Sequence, residues 1–291
     1  MDKYNEAIKR SEVSVDPAAI SANVSEILEK HLDENRRPEV YRRIFNSIDL
    51  TTLRSTDSNQ TVAELTEKVN AFEEAHPDLP SVAAVCVYPD LVQLVRTVLD
   101  VSSVRIASVA GGFPSGQTFI EVKVAEIALA ISAGADEIDV PFPLGAFLDN
   151  DYEEVADQIQ EMKETCRQAP LKVILETGAL ETPEKIRDAA ILALYSGADF
   201  IKTSTGKEYA GASLEAAYVM CQTVKEYYEK TNRMVGVKIS GGVATPEEAL
   251  RYYTLVREIL GEKWVESNEH FRIGASRLAK GMLSEILKEQ E

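Results

Sequence analysis

The residues that build metal centres and crosslinks are scarce in this sequence. Three of 291 residues are cysteine and three are histidine. Cys86, Cys166 and Cys221 are an odd number without metal-like spacing, which suits a reducing compartment and argues against a disulfide framework. His31, His76 and His270 are scattered, so no zinc site and no metal is expected. No apolar run approaches the roughly 18 residues of a membrane span. The opening Met1-Asp2-Lys3-Tyr4-Asn5-Glu6 is charged and has no apolar core of a secretion signal, so a cytoplasmic chain is expected. Positive charge is also in deficit: 31 Lys and Arg against 48 Asp and Glu leave a net charge of −17. That balance disfavours nonspecific nucleic-acid binding and docking on anionic membranes. It leaves room for a phosphorylated ligand, because backbone amides and a few lysines can make one site locally positive.

What is present is material for a full core, 45% hydrophobic and 27% charged, enough for one large domain or two small ones. Residues 16–33 read as a helix, with Asp16 capping, Pro17 in the first turn, and Ile20, Val24, Ile27, Leu28 and Leu32 on one face. This helix either covers one end of the core or contacts another subunit. From residue 44 onward, eight short apolar runs alternate with helix-period segments. The runs are 44–50, 82–88, 104–109, 137–141, 171–176, 200–203, 235–239 and 271–275; the helices include 61–75, 117–133, 151–168, 183–196, 212–230 and 246–260. Alternating strand and helix implies parallel strands. Two fragments, Gly134-Ala135-Asp136-Glu137-Ile138 and Gly197-Ala198-Asp199-Phe200-Ile201, use the same helix-stopping glycine before a strand. Eight units in about 250 residues fit an α/β fold of the closed (β/α)8 type, a TIM barrel spanning 44–291 behind an N-terminal helical extension at 1–43.

Chemistry in such barrels sits at the C-terminal strand ends. The sixth strand ends in Phe200-Ile201-Lys202-Thr203-Ser204-Thr205-Gly206-Lys207. A lysine among apolar neighbours loses protonation free energy to desolvation, which makes its neutral, nucleophilic amine accessible; Lys202 is the candidate nucleophile. The alternative is a rim lysine that extends its ammonium to solvent. Lys238, on the next strand, would further disfavour a second ammonium, and Asp139 supplies a carboxylate for proton relay. Residues two apart share a strand face, so Glu137 and Asp139 project together. Lys172 and Asp49 belong either to the site or to a structural ion-pair network. Cys86, in mid-strand without a histidine partner, reads as a packing residue. Thr51 and Thr205 end strands one and six. The turns Ser240-Gly241-Gly242-Val243 and Gly274-Ala275-Ser276-Arg277, with Gly206-Lys207, suit a phosphate cradle. The loop Gly111-Gly112-Phe113-Pro114-Ser115-Gly116 lacks nucleotide-binding spacing and reads as a substrate-loop turn.

Taken together, Asp49-Leu50-Thr51-Thr52-Leu53, Cys86-Val87-Tyr88-Pro89, the segment from Gly134 to Val140, that from Leu171 to Gly178, that from Phe200 to Lys207, and Lys238 with Gly241-Gly242-Val243 resemble the deoxyribose-phosphate aldolases, which are class I aldolases. The resemblance covers most of 44–288. It implies reversible cleavage of 2-deoxy-D-ribose 5-phosphate to D-glyceraldehyde 3-phosphate and acetaldehyde, without a cofactor, through a Schiff base on Lys202, with Lys238 lowering its pKa and Asp139 as acid/base. It also admits a homo-oligomer, dimer or tetramer. Two rivals stay open: a lysine-dependent aldolase for another phosphosugar, and a non-catalytic phosphosugar-binding barrel. Ala244 stands where the family often has arginine, and Arg277 where it often has a second serine. Arg277 is therefore either a substitute phosphate ligand or a solvated surface arginine. Some members end in a tyrosine that reaches the site, whereas this chain ends Leu287-Lys288-Glu289-Gln290-Glu291.

Overall fold

A computed structural model describes residues 3–287, so the tail at 288–291 lies outside the described residues. Three helices come first: α1 (Lys3–Lys9), α2 (Pro17–His31) and α3 (Pro38–Asn46). Strands and helices then alternate as β1 (Ile48–Thr51), α4 (Asn59–Ala75), β2 (Ala84–Val87), α5 (Val92–Val98), β3 (Arg105–Val109), α6 (Ile120–Ser132), β4 (Glu137–Pro141), α7 (Leu144–Leu148), α8 (Tyr152–Cys166) and β5 (Leu171–Ile174). The second half follows with α9 (Thr177–Leu180), α10 (Pro183–Tyr195), β6 (Phe200–Lys202), α11 (Leu214–Thr231), β7 (Gly236–Ser240), α12 (Pro246–Leu260), β8 (Phe271–Ala275) and α13 (Leu278–Leu287). All eight strands are parallel and in chain order, and β8 closes on β1. This is the (β/α)8 barrel expected from the alternation.

Local chemistry explains the boundaries. Asp16 accepts from the Ala18 amide and Pro17 opens α2; Thr245 and Glu248 form a full capping box on α12, with Pro246 at its first position. The paired helix-stopping glycines behave alike, Gly134 at φ 108° before β4 and Gly197 at φ 106° before β6. The first strand differs from expectation. Residues 44–46 belong to α3, whose start is set by Pro38 at its first position and whose buried face is Val40, Ile44 and Phe45. The apolar run 44–50 therefore straddles a helix end and a strand, and β1 begins only at Ile48.

The helix at 16–33 covers neither end of the barrel. α2 lies against α11 and α12, burying Ile20, Val24 and Leu28, and Asn23 donates to the Tyr218 hydroxyl at 3.0 Å. α1 packs on α10, with Tyr4 accepting from Gln160 at 2.6 Å. The N-terminal segment is thus a third layer over the outer helices on one side of the barrel.

Inside the barrel, in-register pairs place Asp139 beside Lys172, Ile174 beside Lys202, Lys202 beside Lys238, and Lys238 beside Arg272. Gly236 is required there: a Cβ would sit 2.2 Å from the Phe200 ring, which lies 5.9 Å from both Lys172 Nζ and the Arg272 guanidinium. The aromatic ring thus packs against both cations.

Candidate active site

Alternation along β4 turns Glu137 and Asp139 to the same interior face, as their spacing predicts. Asp139 is fully buried and is the hub. Its Oδ2 accepts from Lys202 Nζ at 2.9 Å and from Lys238 Nζ at 2.7 Å, and its Oδ1 from Lys172 Nζ at 2.9 Å. Lys238 also bonds Asp49. Arg272 Nη1 reaches Asp49 Oδ1 at 2.7 Å, and its Nη2 reaches Glu137 Oε1 at 2.8 Å. Lys172 Nζ completes the ring on Glu137 Oε2 at 2.6 Å. Three carboxylates thus meet four buried basic groups.

Those groups are not equivalent. Lys172 contacts Glu137 and Asp139 directly, Lys238 contacts Asp49 and Asp139, and Arg272 contacts Asp49 and Glu137. Among the described residues Lys202 pairs with Asp139 alone, on an oxygen already shared with Lys238. The pKa directions follow this count. Burial disfavours every charge here, but Asp139 and Glu137 raise the Lys172 pKa above its ordinary value, Asp139 and Asp49 do so for Lys238, and Asp49 and Glu137 do so for Arg272. For Lys202, burial combined with repulsion from Lys238 outweighs the pull of Asp139, and its pKa falls. Burial opposes ionisation of Asp49, Glu137 and Asp139 too, yet their cation neighbours hold all three below the usual carboxylate range. With those three ionised and Lys172, Lys238 and Arg272 protonated, the charges of these seven buried groups balance when Lys202 is a free amine.

Lys202 is also the member of this cluster that reaches the open. It lines a cleft of about 530 Å³ at the strand C-termini, together with Thr51, Thr205, Gly206 and Lys207, and with Gly241, Gly242, Gly274, Ser276 and Arg277 from the turns after β7 and β8. Asp49, Cys86, Asp139, Lys172 and Lys238 lie buried beneath it. Gly206, Gly241 and Gly242 have φ of 73°, 86° and 100°, backbone that side-chain-bearing residues rarely adopt, and Gly241 passes so close to Gly211 that a Cβ on Gly211 would lie 2.0 Å from its carbonyl oxygen. Lys207 donates to the Leu53 carbonyl and lies 6.0 Å from the Tyr88 ring, so its ammonium is directed across the cleft. Arg277 is an exposed lining residue at the start of α13. Cys86 packs with Leu53, Ala84, Ala107 and Val109 in an apolar wall, and burial pushes its thiol pKa up, in keeping with a packing role.

Several members of the site escaped the sequence reading. Arg272 anchors two of the three carboxylates, and its inward alternation with Gly274 was the available signal. Glu176 was legible as an ionisable residue at the end of strand five, but not its role: it adopts a left-handed backbone at φ 56° while its buried carboxylate accepts from both the amide and the hydroxyl of Thr205, tying down the loop after β6. Arg54 and Lys68 add two cations to the cleft wall. Outside the barrel, His31 lies near Glu34 and Glu258. Its ring nitrogens face different carboxylates at 3.0 and 3.7 Å, and Arg257 pairs with both acids, so this trio is an ion-pair cluster.

Comparison with known proteins adds a second line. The family model described as DeoC/LacD family aldolase matches residues 44–257. A Caenorhabditis elegans relative is 43% identical over 249 residues, covering 84% of this chain and 80% of its own. The human deoxyribose-phosphate aldolase is 37% identical over 249 residues, covering 82% of this chain and 78% of its own. Among solved structures, the deoxyribose phosphate aldolase of Aeropyrum pernix, described as tetrameric, superposes with a TM-score of 0.67 at 25% identity, covering 91% of this chain and 98% of its own.

Proposed function

The chain belongs to the DeoC/LacD aldolase family, and from that premise we propose that it reversibly cleaves 2-deoxy-D-ribose 5-phosphate to D-glyceraldehyde 3-phosphate and acetaldehyde through an imine on Lys202. The observation that carries the assignment is the undercompensation of Lys202: it has one shared carboxylate contact where its neighbours have at least two each, and it faces the cleft. Its neutral amine adds to the C1 aldehyde of the open-chain sugar, and water leaves as the iminium forms. The C2–C3 bonding pair then flows toward the iminium nitrogen as the C3 hydroxyl gives up its proton. That step releases glyceraldehyde 3-phosphate and leaves an enamine. Protonation of the enamine carbon and hydrolysis free acetaldehyde and the lysine. Asp139, bonded to Lys202, moves these protons, through water where it does not reach the substrate directly.

The phosphate is held by the turns carrying Gly206, Lys207, Gly241, Gly242, Gly274 and Ser276, with Arg277 supplying the cation that Ala244 cannot. Lys172 and Lys238 keep Asp139 ionised, Asp49 fixes Lys238 from its other side, and Thr51 and Thr205 shape the cleft wall. A cytoplasmic location fits three cysteines that are free and buried, and among the described residues no helix is long and apolar enough to cross a membrane. A homo-oligomer fits the apolar face of α6, where Phe119 at its start is 78% exposed and Leu129 is 70% exposed. Incubation with acetaldehyde and borohydride, followed by peptide mass mapping, tests the central claim. One stoichiometric label on Lys202, absent from a folded Lys202→Arg variant, is the expected result, because arginine stays protonated. A label elsewhere, or none, overturns it.

A further inference from the structure

The charge cluster beneath the cleft does not end inside the barrel. Glu137 Oε1, which accepts from Arg272, also accepts from Arg105 Nη1 at 3.0 Å. Arg105 is the first residue of β3, so it stands at the opposite end of the barrel from Lys202, the last residue of β6. There it lines a separate cleft of about 390 Å³ with Arg96, Asp136 and Gln168. Arg96 takes Asp136 at 2.7 Å, while the ion pair of Arg105 is with buried Glu137. A connected path therefore runs from solvent on one face to the reactive amine on the other: Arg105 to Glu137 at 3.0 Å, Glu137 to Lys172 at 2.6 Å, Lys172 to Asp139 at 2.9 Å, and Asp139 to Lys202 at 2.9 Å.

We propose that Arg105 is a positioning residue for the reaction, acting through Glu137 and Lys172 to set how strongly Asp139 holds Lys202. The inference rests on the assignment of Lys202 as the imine-forming lysine. Lys172 is divided between Glu137 and Asp139, so whatever changes the charge on Glu137's outer side changes how much of Lys172 is left for Asp139. With Arg105 present, Glu137 is satisfied by three cations, from β3, β5 and β8, with Asp49 as its acidic neighbour. Without Arg105, Glu137 draws Lys172 inward, Asp139 leans on Lys202, and the ammonium form of Lys202 gains. The long-range charge effect has the same sign, because loss of a positive charge stabilises protonation of every base nearby. The groups facing Lys202 itself are Asp139, Lys238 and Cys86, none of which Arg105 touches. The Arg105 side chain is 41% exposed, so solvent screens it and the effect is small.

The test is the pH profile of kcat/KM for 2-deoxyribose 5-phosphate in Arg105→Gln and Arg105→Lys, with melting curves to establish folding. Removing the charge should move the acid limb up by about half a pH unit, lowering activity about threefold at a given pH on that limb and restoring it above the limb, with KM little changed. Arg105→Lys keeps the charge and should keep the wild-type limb. An unmoved limb in folded Arg105→Gln overturns the proposal, as does a loss of equal size at every pH, which marks structural damage alone. If the glutamine variant does not fold, Arg105→Lys decides the matter: a limb displaced although the charge is kept overturns it. Failure of the wild-type enzyme to trap acetaldehyde on Lys202 would instead remove the premise, so the two failures are distinguishable.

Discussion

Replacing Lys238 with leucine tests whether the buried charge count selects the reactive amine. In Lys238→Leu, Asp139 keeps Lys172 and Lys202, and Asp49 keeps Arg272. Three carboxylates then face only two other buried cations, and a proton on Lys202 restores the balance among the buried groups. In the unsubstituted protein Lys202 and Lys238 share one oxygen of Asp139, at 2.9 and 2.7 Å, which holds the nitrogens about 4–5 Å apart. At an effective dielectric constant of about 20, one like charge at that separation is worth about 3–4 kcal/mol, or roughly two to three pKa units. Removing it raises the Lys202 pKa, so the free amine is depleted on the acid side. The acid limb of kcat/KM should move up by about two pH units, with activity at a given pH on that limb down about a hundredfold and recovering in base. Breaking buried ion pairs also costs about 3–5 kcal/mol of stability, so circular dichroism and melting curves must establish the folded fraction before rates are compared. A loss of equal size at every pH, or no loss, would show that Lys238 does not set the protonation of Lys202.

The remaining predictions concern Asp139 and Arg277. Asp139→Asn should slow the chemical step by about 10²–10⁴-fold with little change in KM, since an amide of the same shape cannot exchange the proton; single-turnover rates read this directly. The folded-state pKa of Asp139 is depressed, so its contribution to stability is full above the unfolded carboxylate pKa and lost as pH falls through the folded value. Acid titration monitored by circular dichroism should accordingly show wild-type stability falling below about pH 4 and a shallower fall, from a lower start, in Asp139→Asn. Arg277→Ala should raise KM for 2-deoxyribose 5-phosphate by an amount equivalent to about 1.5–3 kcal/mol while leaving unphosphorylated deoxyribose nearly unaffected. Equal effects on both sugars, or none on either, would show that the arginine does not touch the phosphate.

The barrel was legible because its signals are local and repeated: capped helices of period 3.6, apolar runs, and glycines such as Gly134 and Gly197 that must take positive φ. The one misplaced strand start had no such signal, since Ile44 and Phe45 are apolar for the sake of α3 and neither Gly nor Pro separates them from β1. Lys202, Lys238 and Asp139 could be brought together from sequence because strand register in a parallel barrel places inward residues of adjacent strands side by side. Arg272 could not be weighed from the eighth strand alone, because its importance lies in the two acids it bridges, contributed by strands one and four. Arg105 was further out of reach, since attention to the C-terminal strand ends excludes the rim where it sits.

Burial alone does not lower the pKa of a lysine, and the barrel contains the comparison. Lys172 is more buried than Lys202, yet its pKa rises while that of Lys202 falls. Desolvation acts on both; what differs is the wall each one faces. Lys172 projects from β5 into the acidic side formed by β4 and β1, where Glu137 and Asp139 both receive it. Lys202 stands one level higher, at the end of β6, and near it is Cys86 of the apolar patch that β2 and β3 contribute with Ala107 and Val109. A second carboxylate in place of Cys86 would give Lys202 the same two-acid environment as its neighbours and hold it protonated. The protonation of Lys202 therefore depends as much on the uncharged half of the barrel mouth as on the charged half.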